Sequence, residues 1–182
     1  MSLKDGNPEG IIIYDSKYGA TRQYAEWLGE MTHLPVMQYN RLTVGILELY
    51  PLVIIGTPVY IGRFRIKSWL TKAAGALRDK KLVFFIVCAS GPGEEEQRQK
   101  YIRTSISPEL AHRAVFHFLP GRLIHRSLSA RDKLMMIIGS ALEKNPDRRK
   151  AMRSDMDQVI KSNLESISVS IANAITAVRG RP

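Results

Sequence analysis

The sequence predicts an α/β domain, a three-layer sandwich in which helices cover both faces of a doubly wound, five-stranded parallel sheet. Two observations support this fold class. Short, almost continuously apolar segments alternate with amphipathic segments of helical period, and such apolar segments are typical of strands buried on both faces. Right-handed crossovers between parallel strands then place helices on either side of the sheet. No internal repeat or linker divides the sequence, so residues 1–182 are predicted to form a single domain.

The strand and helix predictions follow from composition and period. The strands are rich in Val, Ile and Phe and are expected at residues 11–14, 52–56, 81–89 and 114–119, with a weaker one at 35–40. Three helices are expected from apolar stripes: Tyr24, Ala25, Leu28 and Met31; Ile66, Trp69, Leu70, Ala73, Ala74 and Leu77; and, in a long final helix from Ser154, Met156, Val159, Ile160, Leu164, Ile167, Ile171, Ala174, Ile175 and Val178. A short helix is expected at 43–49, and an exposed helix interrupted by Pro108 at 93–112.

Composition limits the setting of the protein. The single cysteine, Cys88, excludes an internal disulfide and lies in an apolar segment where a thiol behaves as a small hydrophobic group. No apolar run approaches the roughly 18 residues that a membrane span needs, and the N-terminus has no apolar signal core. A cytoplasmic protein is therefore expected.

The charge of the chain suggests an anionic partner. Twenty-seven Lys and Arg residues against seventeen Asp and Glu give a net charge of +10. Nucleic acid, a membrane surface, an acidic protein and a carboxylated substrate would all fit this charge. Residues 121–153 carry nine basic and three acidic residues, which indicates either a solvated basic face or a binding surface.

The loop "SKYGAT", at residues 16–21, follows the first predicted strand. Ser16 and Thr21 offer hydroxyl groups, Gly19 permits unusual backbone angles, and the following helix offers the positive end of its dipole. These features suit a phosphate group, although a capped turn without a ligand is the alternative. The sequence lacks both G-x-x-x-x-G-K-[ST] and G-x-G-x-x-G, which favours a phosphate monoester over a nucleoside triphosphate or a dinucleotide.

Two further loops follow strands that end at the same edge of the predicted sheet. In "GTPVYIG", Pro58 stiffens the turn and Tyr60 could stack on a planar heterocycle, or could simply cover the end of the sheet. The loop "ASGPG" offers backbone N–H groups with little side-chain bulk, which suits the polar edge of a flat ring. The three loops together therefore point to a phosphorylated, planar ligand.

These residues bring out a resemblance to the flavodoxin-like FMN proteins. Ser16, Tyr18, Gly19 and Thr21 match the family's phosphate loop, [ST]-x-[TY]-G-x-T, whereas Ala20 stands where asparagine is common. The resemblance implies that FMN is the cofactor, with its phosphate in the first loop and its isoalloxazine ring between the other two. The cofactor-binding residues implied in this way are Ser16, Lys17, Tyr18, Gly19, Ala20, Thr21, Thr57, Pro58, Val59, Tyr60, Ile61, Gly62, Ala89, Ser90, Gly91 and Gly93.

Within that superfamily, most of residues 10–175 resemble the group that contains the menaquinone-dependent protoporphyrinogen oxidases. The segments that carry this resemblance are "YPLVIIGTPVYIGRFRIKSWLTK", "FLPGRLIHRSLSARDKLMMIIG" and the D-x-x-Q-V stretch at 155–159. It implies an FMN-dependent oxidoreductase that exchanges electrons with a quinone or with a redox protein, protoporphyrinogen oxidation being one specific activity. A non-catalytic electron carrier and a flavin-free binding domain of the same fold are the alternatives, and no nucleic-acid partner is expected.

An insertion at about residues 120–153 separates the fifth strand from the last helix and is long for an αβ-type connection. Ser129 and Asp132 begin a helix with a capping pattern. Its inward stripe is expected to be Leu134, Ile137, Ile138, Ala141 and Leu142, with Met135 and Met136 widening the apolar arc. The helix could pack on the domain's own core or contact a membrane, a quinone, a protein partner or a second copy in a homodimer.

Basic residues flank this helix: Arg122, Arg126, Arg131, Lys133, Lys144, Arg148, Arg149 and Lys150. They suit an anionic lipid surface at the inner face of a membrane, or a substrate with carboxylate arms such as a porphyrin. His117 and His125 could move protons but are more typical of structural histidines. Neither has metal-ligand spacing, so no metal is expected, and no side-chain nucleophile or acid–base pair is evident.

Overall fold

The computed structural model describes residues 8–88 and 94–180. Its strands are β1 (Gly10–Tyr14), β2 (Val36–Gln38), β3 (Leu52–Tyr60), β4 (Arg63–Phe64), β5 (Lys81–Cys88), β6 (Ala114–Pro120), β7 (Arg122–Leu123) and β8 (Met156–Asp157). Its α-helices are α1 (Ala20–Thr32), α2 (Lys67–Leu77), α3 (Glu95–Ser105), α4 (Pro108–Arg113), α5 (Ala130–Leu142), α6 (Pro146–Met152) and α7 (Glu165–Arg179). Short 3-10 helices lie at Tyr39–Arg41, Val44–Leu49, His125–Ser127 and Lys161–Leu164.

Five parallel strands form the central sheet in the order β2-β1-β3-β5-β6, with β4 added antiparallel to β3. This confirms the predicted doubly wound, five-stranded sheet. From β1 the chain passes to β2 at one edge of the sheet, and from β3 it passes through β5 to β6 at the other edge. The direction in which strands are added therefore reverses between β1 and β3. Ligands of open α/β sheets bind at such a reversal, beyond the carboxyl ends of the strands.

Both faces of the sheet are covered, as the continuous apolarity of its strands predicts. On one face, Ile11 and Ile55 pack with Leu70 of α2 and Ile102 of α3. On the other face, Ile12 and Ile54 pack with Tyr24 and Leu28 of α1 and with Ile167 and Ile171 of α7. Neighbouring residues of one strand therefore enter opposite cores, and no position in β1 between 10 and 13 could be polar without a buried partner.

The third strand is longer than the sequence indicates. The prediction ended it at residue 56, but β3 continues to Tyr60 and turns back into β4. Ile61 and Gly62 form this turn with φ angles of 52° and 71°, a left-handed conformation suited to a tight hairpin. The second predicted ligand loop is thus a short hairpin that extends the sheet.

The prediction of a helix from Ser154 is wrong. Residues Met156–Asp157 pair as β8 with β7, and α7 begins only at Glu165. Arg122 donates to Asp157 across this pair, with Nε to Oδ2 at 2.7 Å, and Gln158 N donates to Gly121 O. These non-local contacts outweigh the local helical period. The predicted break at Pro108, by contrast, is confirmed, because α3 ends at Ser105 and Pro108 is the first residue of α4, whose N-cap is Ser107.

The insertion helix α5 has the predicted cap but the opposite orientation. Ser129 Oγ accepts a hydrogen bond from Asp132 N at 3.2 Å, as the capping pattern indicates. The stripe that was expected to face inward faces outward instead: Leu134, Ile137, Ile138 and Leu142 are exposed. Asp132 and Ser140 are the buried side chains. In the described part of the chain, no helix is both long enough and apolar enough to cross a membrane.

Candidate functional site

A cavity of about 550 Å³ opens beyond the carboxyl ends of β1, β3 and β5. The predicted phosphate loop, the β3–β4 hairpin and the insertion line its walls. Twelve of the predicted cofactor-binding residues belong to the first two segments, and nine of these twelve line the cavity. A second cavity, of about 470 Å³, lies between α3, β6 and the start of α7, away from these loops.

The phosphate loop is shaped by its glycine. Gly19 has a φ angle of 88°, which L-residues rarely adopt, and its N–H donates to Ser16 Oγ at 3.1 Å. The α1 helix begins at the next residue, and within the described chain no side chain caps its first turn. Its first N–H groups and the positive end of its dipole therefore face the loop, as a phosphate site requires.

The other loop residues line the cavity around that helix end: Ser16, Lys17, Tyr18, Ala20 and Thr21. Thr21 is 1% exposed, so its side chain is fixed between the sheet and the cavity. Ala20 provides no polar group at the position where asparagine is common. The hydroxyl groups and backbone amides of this loop must therefore supply the contacts to an anion.

The β3–β4 hairpin forms the second wall with Pro58, Val59, Tyr60 and Ile61. Of the predicted residues here, Thr57 and Gly62 are not among the described residues that line the cavity. Thr57 is fully buried, and its Oγ1 accepts from Ile66 N at 3.4 Å, which braces the hairpin against the start of α2. Gly62 supplies the turn. Both support the wall without forming its surface.

The third predicted loop, with Ala89, Ser90, Gly91 and Gly93, lies outside the described residues. The residues on either side of it, Cys88 and Glu94, line the cavity. The role of the four loop residues therefore stays a prediction.

The insertion contributes a buried carboxylate that the sequence did not reveal as part of the site. Asp132 Oδ1 accepts from the Tyr60 hydroxyl at 2.7 Å, and its Oδ2 lies 2.6 Å from Lys17 Nζ. The Tyr18 hydroxyl also donates to Oδ2. One carboxylate thus joins α5 to the phosphate loop and to the hairpin.

This cluster is electrostatically satisfied. Burial alone would raise the pKa of Asp132, but the hydrogen bonds from Lys17, Tyr18 and Tyr60 outweigh burial and lower the pKa to about 2. The same contacts raise the pKa of Lys17 against the opposing effect of burial. At neutral pH the ion pair is fully formed. Because Lys17 neutralises Asp132, the carboxylate does not leave a net negative charge beside the phosphate loop.

The insertion and the strand β8 that follows it also give the cavity an apolar wall. Its apolar lining residues are Leu123, Leu128, Met135, Met136, Met152 and Met156. Methionine side chains are flexible and polarisable, so such a wall can adapt to a flat apolar surface. Met135 and Met136 were predicted to widen the apolar arc of α5. The sequence gives no sign that Met152 and Met156 join them, because the packing of α6 on α5 and the pairing of β8 with β7 are contacts between distant residues.

A second ion pair lies behind the phosphate loop. Arg65, which lines the cavity, donates from Nη1 to Asp15 Oδ1 at 2.5 Å. Asp15 is 1% exposed, and its other oxygen has no hydrogen-bond partner among the described residues. Burial raises the pKa of Asp15, and the Arg65 guanidinium opposes this by lowering it. No sequence signal marked this pair.

The two histidines and most of the basic insertion residues lie away from the cavity. His117 bonds through Nε2 to Ser170 Oγ at 3.0 Å, and burial lowers its pKa. His125 Nδ1 lies 2.9 Å from Asp155 Oδ1. Of the basic residues predicted to flank the insertion helix, Arg122 is the one found in the described lining of the cavity. Among residues 8–88 and 94–180, no group of three His, Cys, Asp or Glu side chains could hold a metal ion.

Comparison with known families agrees with this geometry. A family model described as the flavodoxin domain matches residues 11–150, most of the chain. The chain belongs to the flavodoxin domain family. A comparison with curated proteins gives no match. Family membership confirms the prediction of a flavodoxin-like protein and supports FMN as the predicted cofactor.

Solved structures of flavodoxin type share the fold. A WrbA-like flavodoxin from Agrobacterium tumefaciens is 15% identical, covers 96% of this chain and 99% of its own, and superposes with a TM-score of 0.59. A flavodoxin from Megasphaera elsdenii is 16% identical over 60% of this chain and 84% of its own, with a TM-score of 0.46. A flavoprotein from Lactobacillus acidophilus, solved in complex with FMN, is 17% identical over 62% of this chain and 92% of its own, with a TM-score of 0.43. At 15% identity, the likeness to the Agrobacterium tumefaciens protein concerns the fold alone.

The residues of this flavodoxin domain fit FMN. A left-handed glycine, two hydroxyl groups and an uncapped helix end suit the phosphate monoester. Beside them, the hairpin presents the Tyr60 ring and the backbone of residues 58–61, and the methionines present an apolar surface. A cavity of about 550 Å³ is of the size that a cofactor of this class occupies.

Proposed function

We propose that this protein binds FMN at the cavity and acts as an oxidoreductase that exchanges electrons with a small, flat, apolar acceptor of the quinone type. FMN supplies the redox chemistry when it is bound. The chain itself binds the phosphate with residues 16–21, positions the ring beside the β3–β4 hairpin, and excludes water with the insertion.

The observation that carries this proposal is the methionine wall. The insertion places Met135, Met136 and Met152 in the lining of the cavity, and β8 adds Met156. A flavodoxin that only passes electrons to other proteins needs an exposed ring edge and no apolar enclosure. An apolar enclosure suits a small acceptor that moves out of water and into the cavity to contact the flavin ring.

Protoporphyrinogen oxidation is the more specific form of this proposal. A porphyrin substrate is flat and apolar but carries carboxylate arms, and the cavity has Arg65 and Arg122 in its lining. Each guanidinium already contacts one aspartate, at 2.5 Å for Arg65 and 2.7 Å for Arg122. A guanidinium has five N–H donors, so each can also receive a substrate carboxylate. The resemblance of the insertion to that of the menaquinone-dependent protoporphyrinogen oxidases supports the same hypothesis.

Anaerobic stopped-flow reoxidation tests the proposal. The FMN-loaded protein is reduced and mixed with a soluble menaquinone analogue, and in separate runs the oxidised protein is mixed with protoporphyrinogen. We expect rapid reoxidation by the quinone and a several-fold slower reaction in Met136→Gln, because a polar group enters the apolar wall. Ile137→Gln is the matched control, since Ile137 is the next residue of α5 and is exposed.

Two outcomes would contradict the proposal. Slow reoxidation by every small acceptor, together with fast reoxidation by a redox protein, would identify an electron carrier. Failure to retain FMN at saturating concentration would identify a flavin-free binding domain. If the quinone reacts rapidly and protoporphyrinogen does not, the quinone assignment stands and the porphyrin assignment fails.

A further inference from the structure

The helix α5 carries an apolar surface that faces solvent. Leu134, Ile137, Ile138 and Leu142 are 58%, 65%, 52% and 76% exposed, and we call these four residues the outer face of α5. Their spacing of three and four residues places them side by side along one side of the helix. Four large aliphatic side chains in one exposed stripe are unusual for a surface that meets only water.

The opposite side of α5 fixes this orientation. Asp132 is held by Lys17, Tyr18 and Tyr60, and Ser140 Oγ accepts from Arg153 Nε at 3.2 Å. Gly139 lies close to α6, since a Cβ there would stand 2.9 Å from Met152 Cε. Rotating the outer face inward would pull Asp132 out of its buried position, break the ion pair with Lys17 and the hydrogen bonds from Tyr18 and Tyr60, and leave Lys17 without this partner, which is strongly unfavourable. The apolar stripe is therefore a stable feature of the folded protein.

Basic side chains surround the outer face. Arg131 and Lys133 lie on the same helix and are exposed, as are Arg126 before it and Lys144 after it. Residues 121–153 carry nine basic and three acidic residues in all. An apolar stripe with basic flanks is the pattern of a helix that lies in the plane of an anionic lipid surface.

We propose that the outer face of α5 docks on an anionic membrane surface, with Leu134, Ile137, Ile138 and Leu142 in the acyl boundary and the flanking Lys and Arg side chains at the headgroups. The charge argues for lipid over a second copy of the chain, because a symmetric dimer through this face would bring two strongly basic segments together. The charge of +10 on the whole chain adds to the same attraction.

This docking does not depend on the flavin. It has a consequence for the site, however, because Met135 and Met136 lie on the other side of the same helix and line the cavity. A protein that is docked through α5 holds its cavity next to the bilayer, where an apolar acceptor would be dissolved.

Vesicle flotation tests the inference on the full-length protein, with FMN and without it. The vesicles contain phosphatidylglycerol and phosphatidylcholine in equal parts, or phosphatidylcholine alone, at about 0.05 M and about 0.5 M salt. We expect the protein to float with the anionic vesicles at low salt. Its binding should be weaker by a factor of about ten or more at high salt, and also with vesicles of phosphatidylcholine alone. The double variant Ile137→Glu with Leu142→Glu should bind the anionic vesicles more weakly by a factor of about ten or more, since it places charge in the acyl boundary.

The control is the double variant Ile160→Glu with Val169→Glu, which introduces the same two charges at apolar residues that are 55% and 63% exposed and lie outside the insertion. It should float like the unmodified protein, and near-native circular dichroism should accompany all variants because every changed residue is exposed. The inference is overturned if the unmodified protein does not float with anionic vesicles at low salt, or if the double variant floats equally well. It is also overturned if light scattering shows a dimer that the double variant abolishes, or if an acidic protein binds the outer face and anionic lipid does not.

Discussion

The carboxylate of Asp132 should hold the insertion on the flavin site, and Asp132→Asn should release it. The substitution preserves shape but removes the charge that Lys17 faces at 2.6 Å. The pKa of Asp132 falls from its ordinary 3.8 to about 2, and the side chain is 7% exposed, so little of the effect is lost to solvent. Since one pKa unit corresponds to 1.36 kcal/mol, this contact stabilises the folded state by about 2 kcal/mol at neutral pH.

Hydrogen exchange measured by mass spectrometry reports this release locally. In Asp132→Asn at pH 7, the amides of α5 (Ala130–Leu142) should exchange about thirtyfold faster, which is the factor that about 2 kcal/mol implies. Asp79→Asn is the matched control, because Asp79 is exposed and lies outside the insertion. Exchange in α5 that is no faster than in the control would refute the reasoning.

The pH dependence of the same contact has a definite sign. A carboxyl whose pKa is lowered by folding stabilises the protein above its unfolded pKa, and the stabilisation is lost as pH falls towards the folded pKa. The difference in unfolding free energy between the unmodified protein and Asp132→Asn should therefore be full at pH 7 and should fade between about pH 4 and about pH 2. Urea unfolding followed by circular dichroism measures it, and a difference that grows on acidification would contradict the account.

Three further substitutions test the scaffold of the site. Gly19→Ala should cost about 1 kcal/mol in unfolding free energy and weaken FMN binding, because the φ angle of 88° strains any L-residue although a Cβ there meets no atom within 4 Å; thermal melts and flavin fluorescence measure the two effects. Gly56→Ala should cost about 1 to 3 kcal/mol in urea unfolding, since its Cβ would stand 2.0 Å from Cζ of Phe85. Arg65→Ala should cost about 3 kcal/mol at pH 7, because it leaves the buried Asp15 carboxylate without the Arg65 guanidinium. Acidification should recover part of this loss as Asp15, whose pKa is raised by burial, becomes protonated.

Each of these has an outcome that would count against it. A Gly19→Ala protein with unchanged melting and unchanged flavin affinity would show that the loop does not need the left-handed conformation. An equally stable Gly56→Ala protein would show that the sheet yields locally to the added methyl group. If the loss in Arg65→Ala grows on acidification, Asp15 does not have the raised pKa assigned to it.

The scaffold was predictable from the sequence because its signals are local. The strands β1, β3 and β5 are each marked by a continuous apolar run, as burial on both faces of a parallel sheet requires. The apolar run of the edge strand β6 is interrupted by His117, and this strand is only partly buried, with Val115 48% exposed. Because these strands alternate with helices, they are expected to run parallel, and their carboxyl ends then lie at the same edge of the sheet. The phosphate loop and the hairpin could therefore be assigned to one site without coordinates.

The part that was missed depends on contacts between distant residues. The helical period of α5 was correct, but its rotation about its own axis is set by Asp132, which meets Tyr18 and Lys17 more than a hundred positions earlier in the chain. The sequence of α5 alone predicts that its apolar stripe faces the domain. It contains no sign that the Asp132 carboxylate, paired with Lys17, occupies that side of the helix instead. The strand at Met156–Asp157 was missed for a similar reason, because its partner β7 precedes it by more than thirty residues.

Titration of the flavin-free protein with FMN, followed by quenching of flavin fluorescence, tests the central claim most directly. We expect saturable binding of one FMN per chain. Riboflavin, which lacks the phosphate, and the variant Thr21→Leu, which fills the loop at a 1% exposed position, should each bind at least about tenfold more weakly. Thr71→Leu, at an exposed position of α2, should bind FMN normally. Absence of saturable binding, or equal affinity for FMN in Thr21→Leu and in the unmodified protein, would contradict the assignment of residues 16–21 as the phosphate site.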